Sequence, residues 1–263
     1  MHKHFLAIFI LLLVAPFTLA QRADPRDPKN EQQGIDLLKS AIVARGGEAY
    51  LKFKTLHANG TFTQFDKGIS TVPKSFLDWI IYPDRERVEF GKGKRKDRII
   101  QVNSGNGGWL YDGDAETLKD QSPKQISDFQ EGLEFDIDHV LRGGWQKTGV
   151  KVRFFGREET RPGERADVVE IKLTEEKVVL LMIDRYTKLP MSLSYEKMEG
   201  RNLSKREVRF FQYVAYGSVK FPNIVDFYRD GVQESRINYQ NVLTDAPVPE
   251  ELFTKPASVK LIK

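Results

Sequence analysis

Histidine is the residue type that most directly limits the chemistry this chain can support. Beyond the first four residues of the 263-residue chain, only His57 and His139 occur. An imidazole can act as a general base or bind zinc, but no HExxH or comparable spacing brings these two together. Any such site would need a tertiary contact between distant segments. We expect neither histidine to be a catalytic base or a metal ligand.

Carboxylates and two short strings are the other candidates for catalysis. Asp112 and Asp114 could form the acid–base pair of a glycosidase, but an Asp-Gly turn after an aromatic strand explains them more simply. Ser194 and Lys197 match the S-x-x-K string of penicillin-recognising enzymes, and residues 147–149 match their K-T-G. The two strings occur in the reverse order, and Ser194 lies on a predicted strand. We therefore predict no enzyme and no cofactor or metal, with a carboxylate-dependent hydrolase as the alternative.

The N-terminus predicts an exported protein. Residues 1–20 contain a short basic region, an unbroken apolar run and small residues ending at Ala20, the pattern of a signal peptide cleaved before Gln21. The apolar run has about half of the ~20 residues that a membrane anchor needs. The chain contains no cysteine, so Gln21 cannot carry a lipid anchor, and the lack of disulfides favours the periplasm of a Gram-negative-type cell envelope. The net charge of +4 does not indicate nucleic acid as a partner.

Short apolar runs predict a mainly β protein. About eleven or twelve strands, spaced by glycine, proline, aspartate or asparagine, favour one large antiparallel sheet that is curled or closed. Residues 21–33 are polar and contain proline, which predicts a flexible lead-in to a single domain over residues 34–263. The predicted strands are 55–65, 76–82, 85–90, 98–103, 108–112, 150–157, 166–173, 178–184, 191–196, 205–213, 224–229 and 234–242.

One polar stretch between two of these runs resembles a site and is better explained as a turn. Residues 180–183 and 191–196 have the apolar pattern of strands, and Asp184 and Thr187 lie between them. The aspartate can cap a turn through its side chain, and Pro190 favours extended geometry as the next strand begins. We predict a β-hairpin here.

Two helices are predicted. The first has apolar residues at helical spacing from Ile35 to Ile42 and ends at Gly46-Gly47. The second begins with Ser122, Pro123 and Gln125, the pattern of a capping box, and ends at Gly143-Gly144. Its apolar stripe must pack on the sheet, while its acidic face is expected to contact water. The stripe consists of Ile126, Phe129, Leu133, Ile137, Val140 and Leu141, and the acidic face of Asp128, Glu131, Glu134 and Asp138.

The inner wall of the sheet can be predicted from strand alternation. Asp78 should face water because burying an unpaired carboxylate is costly, which directs Leu77, Trp79 and Ile81 inward. Met191 and Leu193 of the hairpin are expected to meet them. With Phe129, Leu133 and Ile137 of the second helix, these residues are predicted either to line a lipid cavity of several hundred Å³ or to fill a closed core.

The densest basic run lies between two predicted strands. It contains Lys92, Lys94, Arg95 and Lys96, without the interleaved aromatic residues of single-strand nucleic-acid sites. The run is predicted to be a solvated hairpin tip. A more specific hypothesis is that it contacts anionic lipid headgroups or an acidic partner.

The order of these features resembles the outer-membrane lipoprotein-sorting family, the LolA/LolB-like periplasmic carriers. The similar segments are an exported N-terminus, a helix ending in Gly46-Gly47, TLHANGTF, GGWLYDGD, a helical insertion, IDRYTKLPMSLSY, VRFFQYVAYGSVKFPNIVDFY and PEELFTKP. They span most of residues 37–256.

The resemblance implies an incomplete antiparallel barrel whose open side is covered by helices and whose cavity holds lipid or the acyl chains of a lipoprotein. The implied partners are such a cargo and the inner- and outer-membrane components of lipoprotein sorting, with the protein acting as a monomeric carrier or chaperone. No arginine of this chain can be matched to the functional arginine of that family. An envelope adaptor or a hydrolase on the same scaffold remains the alternative function.

Overall fold

A single sheet of fifteen antiparallel strands forms the body of the protein. The computed structural model describes residues 21–91, 94–161 and 163–262, without the side chains of Arg95 and Arg161. The predicted signal peptide and Lys92 therefore lie outside the described residues. The strands are β1 Gln21–Arg22, β2 Thr55–Asp66, β3 Ile69–Ser70, β4 Lys74–Ile81, β5 Arg85–Phe90, β6 Ile99–Ser104, β7 Gly107–Asp112, β8 Thr117–Asp120, β9 Lys151–Arg161, β10 Glu164–Lys172, β11 Val178–Asp184, β12 Pro190–Glu199, β13 Asn202–Tyr216, β14 Val219–Arg229 and β15 Val232–Thr244.

The sheet curls without closing. Its strand order is β1-β9-β10-β11-β12-β13-β14-β15-β2-β4-β5-β6-β7-β8, and β3 pairs with β2. Within the described ranges, the edge strands β1 and β8 are not paired with each other. The prediction of one large, curled antiparallel sheet is confirmed.

All twelve predicted strands occur, and the three additional strands are short. Strands β1 and β3 have two residues each and β8 has four, too few for an alternating pattern to be visible in the sequence. The segment 21–33, predicted to be a flexible lead-in, differs from that prediction. Gln21 and Arg22 pair with β9, and helix α1 already begins at Lys29.

The predicted hairpin is present between β11 and β12. Leu181 pairs with Leu193, and Asp184 Oδ1 accepts hydrogen bonds from the backbone amides of Tyr186 at 2.9 Å and Thr187 at 2.6 Å. The polar stretch is therefore a turn held by its own aspartate, as predicted.

Helix α1 fills one half of the concave side of the sheet. It spans Lys29–Arg45 and buries Leu37, Leu38, Ala41 and Ile42 in the main core, together with apolar residues of β9 to β12. A Cβ added at Gly34 would lie 2.7 Å from the carbonyl carbon of Arg153, so glycine allows the helix to approach β9 closely. Helix α2, Glu48–Lys52, follows directly.

The second predicted helix is two helices. Helix α3 spans Pro123–Glu134 and has the predicted capping box, whereas α4 spans Ile137–Leu141. Asp136 is extended and caps α4, because its Oδ1 accepts the amides of Asp138 at 2.9 Å and His139 at 3.0 Å. This break turns Asp138 away from the predicted water-facing side and buries it, so that part of the prediction was wrong. Among the described residues, no helix is long and apolar enough to cross a membrane.

The convex face carries a second, smaller core under the C-terminal segment. Trp109 and Tyr111 of β7 pack there against Phe253, with Ile81 alongside. The Trp109 indole donates a hydrogen bond to the Phe253 carbonyl at 2.9 Å, and Arg87 donates one to the Leu252 carbonyl at 2.6 Å. The C-terminal segment therefore covers part of the convex face of β4 to β7.

Candidate functional site

A cavity of about 530 Å³ occupies the part of the concave side that α1 leaves free. Its walls are mostly aliphatic and aromatic, and its lining comes from seven strands and from the lid, a name used here for residues 123–141 of α3 and α4. The apolar side chains of the sheet at its wall are Leu56, Phe62, Phe76, Ile80, Val88, Phe90, Leu193, Val208, Phe210, Phe221, Val225, Phe227, Ile237 and Val242. The volume lies within the range of about 300–1,000 Å³ typical of small-molecule sites. The sequence left a cavity and a filled core as alternatives, and the structure has a cavity.

Helix α3 of the lid covers this cavity without being buried itself. Phe129 and Leu133 of α3 and Ile137 of α4 line the space, and all three are only partly exposed. Helix α3 buries none of its residues, so its apolar stripe faces the cavity and not a packed core. The three predicted lid positions thus lie where the sequence placed them.

Polar contacts and one stacked pair hold the lid on both sides of the cavity. Gln130 Nε2 donates to Asn106 Oδ1 at 2.7 Å in the turn between β6 and β7. On the other side, Lys197 Nζ of β12 lies 3.1 Å from Glu131 Oε2, and Lys177 pairs with Glu134. These contacts are solvent-accessible, so each contributes little to stability. Between the helices, the Phe135 ring stacks on that of Tyr195 at 3.8 Å between centroids.

The predicted orientation of β4 was wrong. Phe76, Asp78 and Ile80 line the cavity, whereas Leu77, Trp79 and Ile81 lie on the convex face. Leu77 is 41% exposed, and Ile81 packs in the convex core. The reason is that both faces of this strand are apolar, and a row of convex side chains determines its orientation.

Trp79 belongs to that convex row. Its indole stacks on His57 of β2 with centroids 5.0 Å apart, and the Arg87 guanidinium of β5 lies 5.9 Å from its ring. These residues are cross-strand neighbours, since Trp79 pairs with both His57 and Arg87. Trp79 therefore stabilises the outside of the sheet and does not contact the cavity.

Of the two hairpin residues predicted to line the cavity wall, Met191 and Leu193, only one does so. Leu193 lines the cavity and is buried. Met191 does not line it, because Met182 pairs with Ser192 and Ile183 with Pro190, which leaves Met191 as the extra residue of a β-bulge. A bulge interrupts alternation, and the sequence pattern did not reveal it.

A buried ion pair closes one end of the cavity. Arg45, the last residue of α1, donates to Asp138 Oδ1 of α4 at 2.5 Å, and the Tyr50 hydroxyl donates to the same oxygen at 2.7 Å. Burial disfavours the charged carboxylate, but Arg45 and Tyr50 outweigh it and hold the pKa of Asp138 below its usual value. The Tyr82 hydroxyl donates to the other carboxylate oxygen at 3.1 Å. This cluster joins the lid to α1 and the sheet.

Two carboxyl groups of the cavity wall lack such partners. Asp78 is only 6% exposed, and its Oδ1 accepts no hydrogen bond from any residue that the structure describes. Burial, then the nearby charge of Glu86, raises the pKa of Asp78 well above its usual value. Burial also raises the pKa of Glu86, partly opposed by a hydrogen bond from Asn103 Nδ2 at 3.2 Å. Sequence reasoning missed this pair. The signal that could have revealed it is the alternation of Glu86 with Val88 and Phe90 in β5, which places one acid on an otherwise apolar face.

The other candidate catalytic residues from the sequence do not lie together in one site. Asp112 Oδ1 accepts the amides of Asp114 at 3.0 Å and Ala115 at 3.1 Å, which makes the segment a turn. Ser194 lies within β12. No group of three or more histidine, aspartate or glutamate side chains that could hold a metal occurs among the described residues.

The two histidines are apart and differ in environment. His139 of the lid contacts Asp136 at 3.3 Å and the Pro83 carbonyl. Burial lowers the pKa of His139, but the bond to Asp136 outweighs it and raises the pKa above its usual value. His57 lies on the convex face, where burial lowers its pKa.

The basic run forms the connection between β5 and β6. Lys94 and Lys96 are exposed there, the first just before and the second within a single 3-10 turn over Arg95–Asp97. The exposure of these two lysines agrees with a solvated tip. Lys92 and the Arg95 side chain lie outside the part of the chain that the structure describes.

Comparison with known proteins found similarity in structure and none to a family model or a curated protein. A LolA superfamily protein from Nitrosomonas europaea superposes with a TM-score of 0.54 at 14% identity, covering 84% of this chain and 97% of its own.

Two further solved structures are similar over the same extent. A domain from Vibrio parahaemolyticus described as an outer membrane lipoprotein-sorting domain gives a TM-score of 0.55 at 13% identity, covering 86% of this chain and 98% of its own. A DUF1329 family protein from Desulfovibrio piger gives 0.58 at 12% identity, covering 86% and 97%. At these identities the likeness concerns the fold alone, and the chain is similar in fold to these three structures.

Proposed function

We propose that this protein is an exported carrier that binds lipid, or the acyl chains of a lipoprotein, in the cavity beneath its lid. The observation that carries the proposal is the cavity of about 530 Å³ with predominantly apolar walls. Each methylene removed from water contributes about 0.8 kcal/mol, so a hydrocarbon chain gains affinity there without any reactive group. The names of the similar structures, a LolA superfamily protein and a lipoprotein-sorting domain, support the same role.

The lid gives such a carrier a route for loading and release. Helix α3 buries none of its residues and is held by exposed polar contacts, which cost little free energy to separate. Opening α3 would expose the apolar wall, and closing it would cover the bound chain. The polar outer face of α3 can remain in water in both positions.

Export to the periplasm is part of the proposal. The expected signal peptide ends at Ala20. N-terminal sequencing of protein recovered from a Gram-negative envelope should begin within a residue or two of Gln21. An intact Met1 on the mature protein would exclude this form of export. The membrane components that deliver and receive the cargo belong to the same proposal.

The main test fills the cavity. Val208 and Val214 both lie on β13, but Val208 lines the cavity and Val214 is 39% exposed. Val208→Trp should occupy the space and reduce co-purified lipid, measured by native mass spectrometry and lipid extraction. Val214→Trp is the matched control and should retain the wild-type lipid content.

The outcomes separate the carrier from the two alternatives. Wild-type protein with no lipid, and no binding of a fluorescent fatty acid by either variant, would favour an envelope adaptor. Lipid that is recovered as hydrolysis products would favour the carboxylate-dependent hydrolase, with Asp78 and Glu86 as its candidate acids. Intact lipid in wild type and Val214→Trp alone supports the carrier.

A further inference from the structure

Asp78 and Glu86 lie next to each other on the concave wall. In the pairing of β4 with β5, Asp78 is opposite Val88 and Glu86 is opposite Ile80. The two acids are therefore diagonal neighbours on one face of the sheet, close enough for their side chains to interact. Both line the cavity, surrounded by Phe76, Ile80 and Val88.

Part of the hydrogen-bonding capacity of this pair is not used by the protein. Asp78 is only 6% exposed, and its buried Oδ1 accepts no hydrogen bond from any described residue. Glu86 accepts one bond, from Asn103 Nδ2 at 3.2 Å. A buried acceptor without a donor is costly, and a buried carboxylate more so. A donor supplied by a ligand would remove that cost.

The charged groups around the pair leave this region of the cavity acidic. Asp138 is neutralised by Arg45, and Arg85 is directed to Glu250, which it contacts at 2.6 Å. Asp136 of the lid adds further negative charge near Glu86, and the adjacent His139 imidazole offsets it when protonated. The Arg142 guanidinium lies 4.0 Å from the Tyr82 ring and is directed to the Phe53 carbonyl. The hydroxyls of Tyr82 and Tyr239 also line the cavity, and burial, the largest cause, raises the pKa of each, so that both stay neutral.

We propose that Asp78 and Glu86 bind the ammonium group of an amphiphile whose hydrocarbon part occupies the cavity. The inference rests on the proposed carrier function and adds to it the chemical class of the polar group. An ammonium has three donors and can bond to Asp78 Oδ1 and to Glu86 together, while its charge compensates that of the pair. A carboxylate or phosphate at the same place would meet like charge whenever the pair is ionised, and it has no donor to offer to Asp78 Oδ1. The wall therefore selects a cationic amine over an anionic headgroup.

The test compares three ligands with the same chain length. Dodecylamine, dodecanol and dodecanoate are titrated into the full mature protein by calorimetry near pH 7. Wild type should bind dodecylamine at least about tenfold more tightly than dodecanol, since a hydrogen bond to a charged group is worth about that factor or more. Dodecanoate should bind more weakly than dodecanol.

Neutral variants identify the residues responsible. Asp78→Asn combined with Glu86→Gln keeps the size of both side chains and should abolish the preference for the amine while retaining dodecanol binding. Asp66→Asn combined with Glu196→Gln removes two exposed acids and should keep the preference. Calorimetry in buffers of different ionisation enthalpy should also show protons released when wild type binds the amine, because both carboxyl pKa values are raised.

Each result separates this inference from the carrier proposal. Equal affinity of wild type for dodecylamine and dodecanol, or a preference that persists in Asp78→Asn/Glu86→Gln, overturns the ammonium site and leaves the carrier intact. Failure of all three ligands to bind wild type overturns both. If the double variant does not fold, two other measurements test the ammonium site: the ligand preference of Asp78→Asn alone and the release of protons by wild type. Binding of the amine to wild type without release of protons contradicts the proposal.

Discussion

Arg45 and Asp138 are 93 residues apart in the chain, and the guanidinium of the first lies 2.5 Å from the carboxylate of the second. Both side chains are nearly inaccessible to water, at 1% and 12% exposure. The pair connects the C-terminal end of α1 to α4 of the lid, and the hydroxyls of Tyr50 and Tyr82 complete the bonding of Asp138. Helix α4 is therefore the end of the lid that is anchored in the interior, whereas α3 has no buried residue.

Loss of Arg45 should destabilise the protein strongly. Arg45→Met leaves Asp138 buried without its counterion, and removal of one partner of a buried pair costs about 3–5 kcal/mol. Arg22→Met is the control, since Arg22 pairs with Glu158 at a site where its side chain is 51% exposed, and it should cost less than about 1 kcal/mol. Urea unfolding measures both. Equal losses in the two variants would refute the role of the buried pair, and Arg45→Met/Asp138→Leu should recover part of the loss.

A shortened lid residue should affect binding more than folding. Leu133→Ala removes apolar surface that faces the cavity from a helix that buries none of its residues. We expect weaker binding of a fluorescent fatty acid with a change in unfolding free energy of less than about 1 kcal/mol, below the 2–5 kcal/mol of a core position. Asp128→Ala on the outer face of α3 should change neither. A large loss of stability in Leu133→Ala would indicate a packed helix in place of a lid.

A disulfide across the lid should slow exchange of the ligand. The chain has no cysteine, so Asn106→Cys with Gln130→Cys, at a pair now joined by a 2.7 Å hydrogen bond, introduces a single possible bridge. Oxidation should slow both loading and release of a fluorescent fatty acid, and reduction should restore the wild-type rates. Unchanged rates in the oxidised protein would show that α3 does not gate the cavity.

The acids of the cavity wall should make stability fall as pH rises. Asp78 and Glu86 both have a raised pKa in the folded protein, so the folded state holds more protons than the unfolded state from about pH 4 upward. Their contribution is therefore most favourable at low pH and is lost as pH rises towards their folded pKa values. Relative to wild type, Asp78→Asn/Glu86→Gln should gain stability as pH rises from about 4 towards the folded pKa values of the two acids.

Thermal unfolding across this pH range checks the sign. The exposed pair Asp66→Asn/Glu196→Gln should keep a constant difference from wild type. A stabilisation by Asp78→Asn/Glu86→Gln that shrinks with rising pH would contradict the raised pKa values.

The basic tip should contribute to contact with anionic membranes. Lys94→Glu with Lys96→Glu reverses two exposed charges between β5 and β6, where each lysine near an anionic surface is worth about 1 kcal/mol. Less of this variant than of wild type should sediment with vesicles that contain anionic lipid. The difference between the two proteins should vanish at high salt. Lys29→Glu with Lys39→Glu makes the same charge change on α1 and should have a smaller effect. Equal effects would assign binding to net charge alone.

The twelve longer strands, the cap at Ser122 and the turn at Asp184 depend on local pattern, and the sequence by itself determined them. Strand β11 alternates buried Val179, Leu181 and Ile183 with more exposed residues, so period two is visible without any knowledge of its neighbours. The capping box at Ser122 and the turn at Asp184 are likewise made by side chains that bond to backbone within three residues. Such features can be predicted because their partners are adjacent in the chain.

The identity of the cavity-facing side was decided by the tertiary structure alone. Strand β4 is apolar on both faces, so its alternation could not distinguish Phe76 and Ile80 from Trp79 and Ile81. A C-terminal segment more than 160 residues away covers the convex face and leaves Asp78 to the cavity. Distant partners also bury Asp138, and a bulge displaces Met191. Each of these outcomes depends on contacts between residues far apart in sequence, which no local pattern encodes.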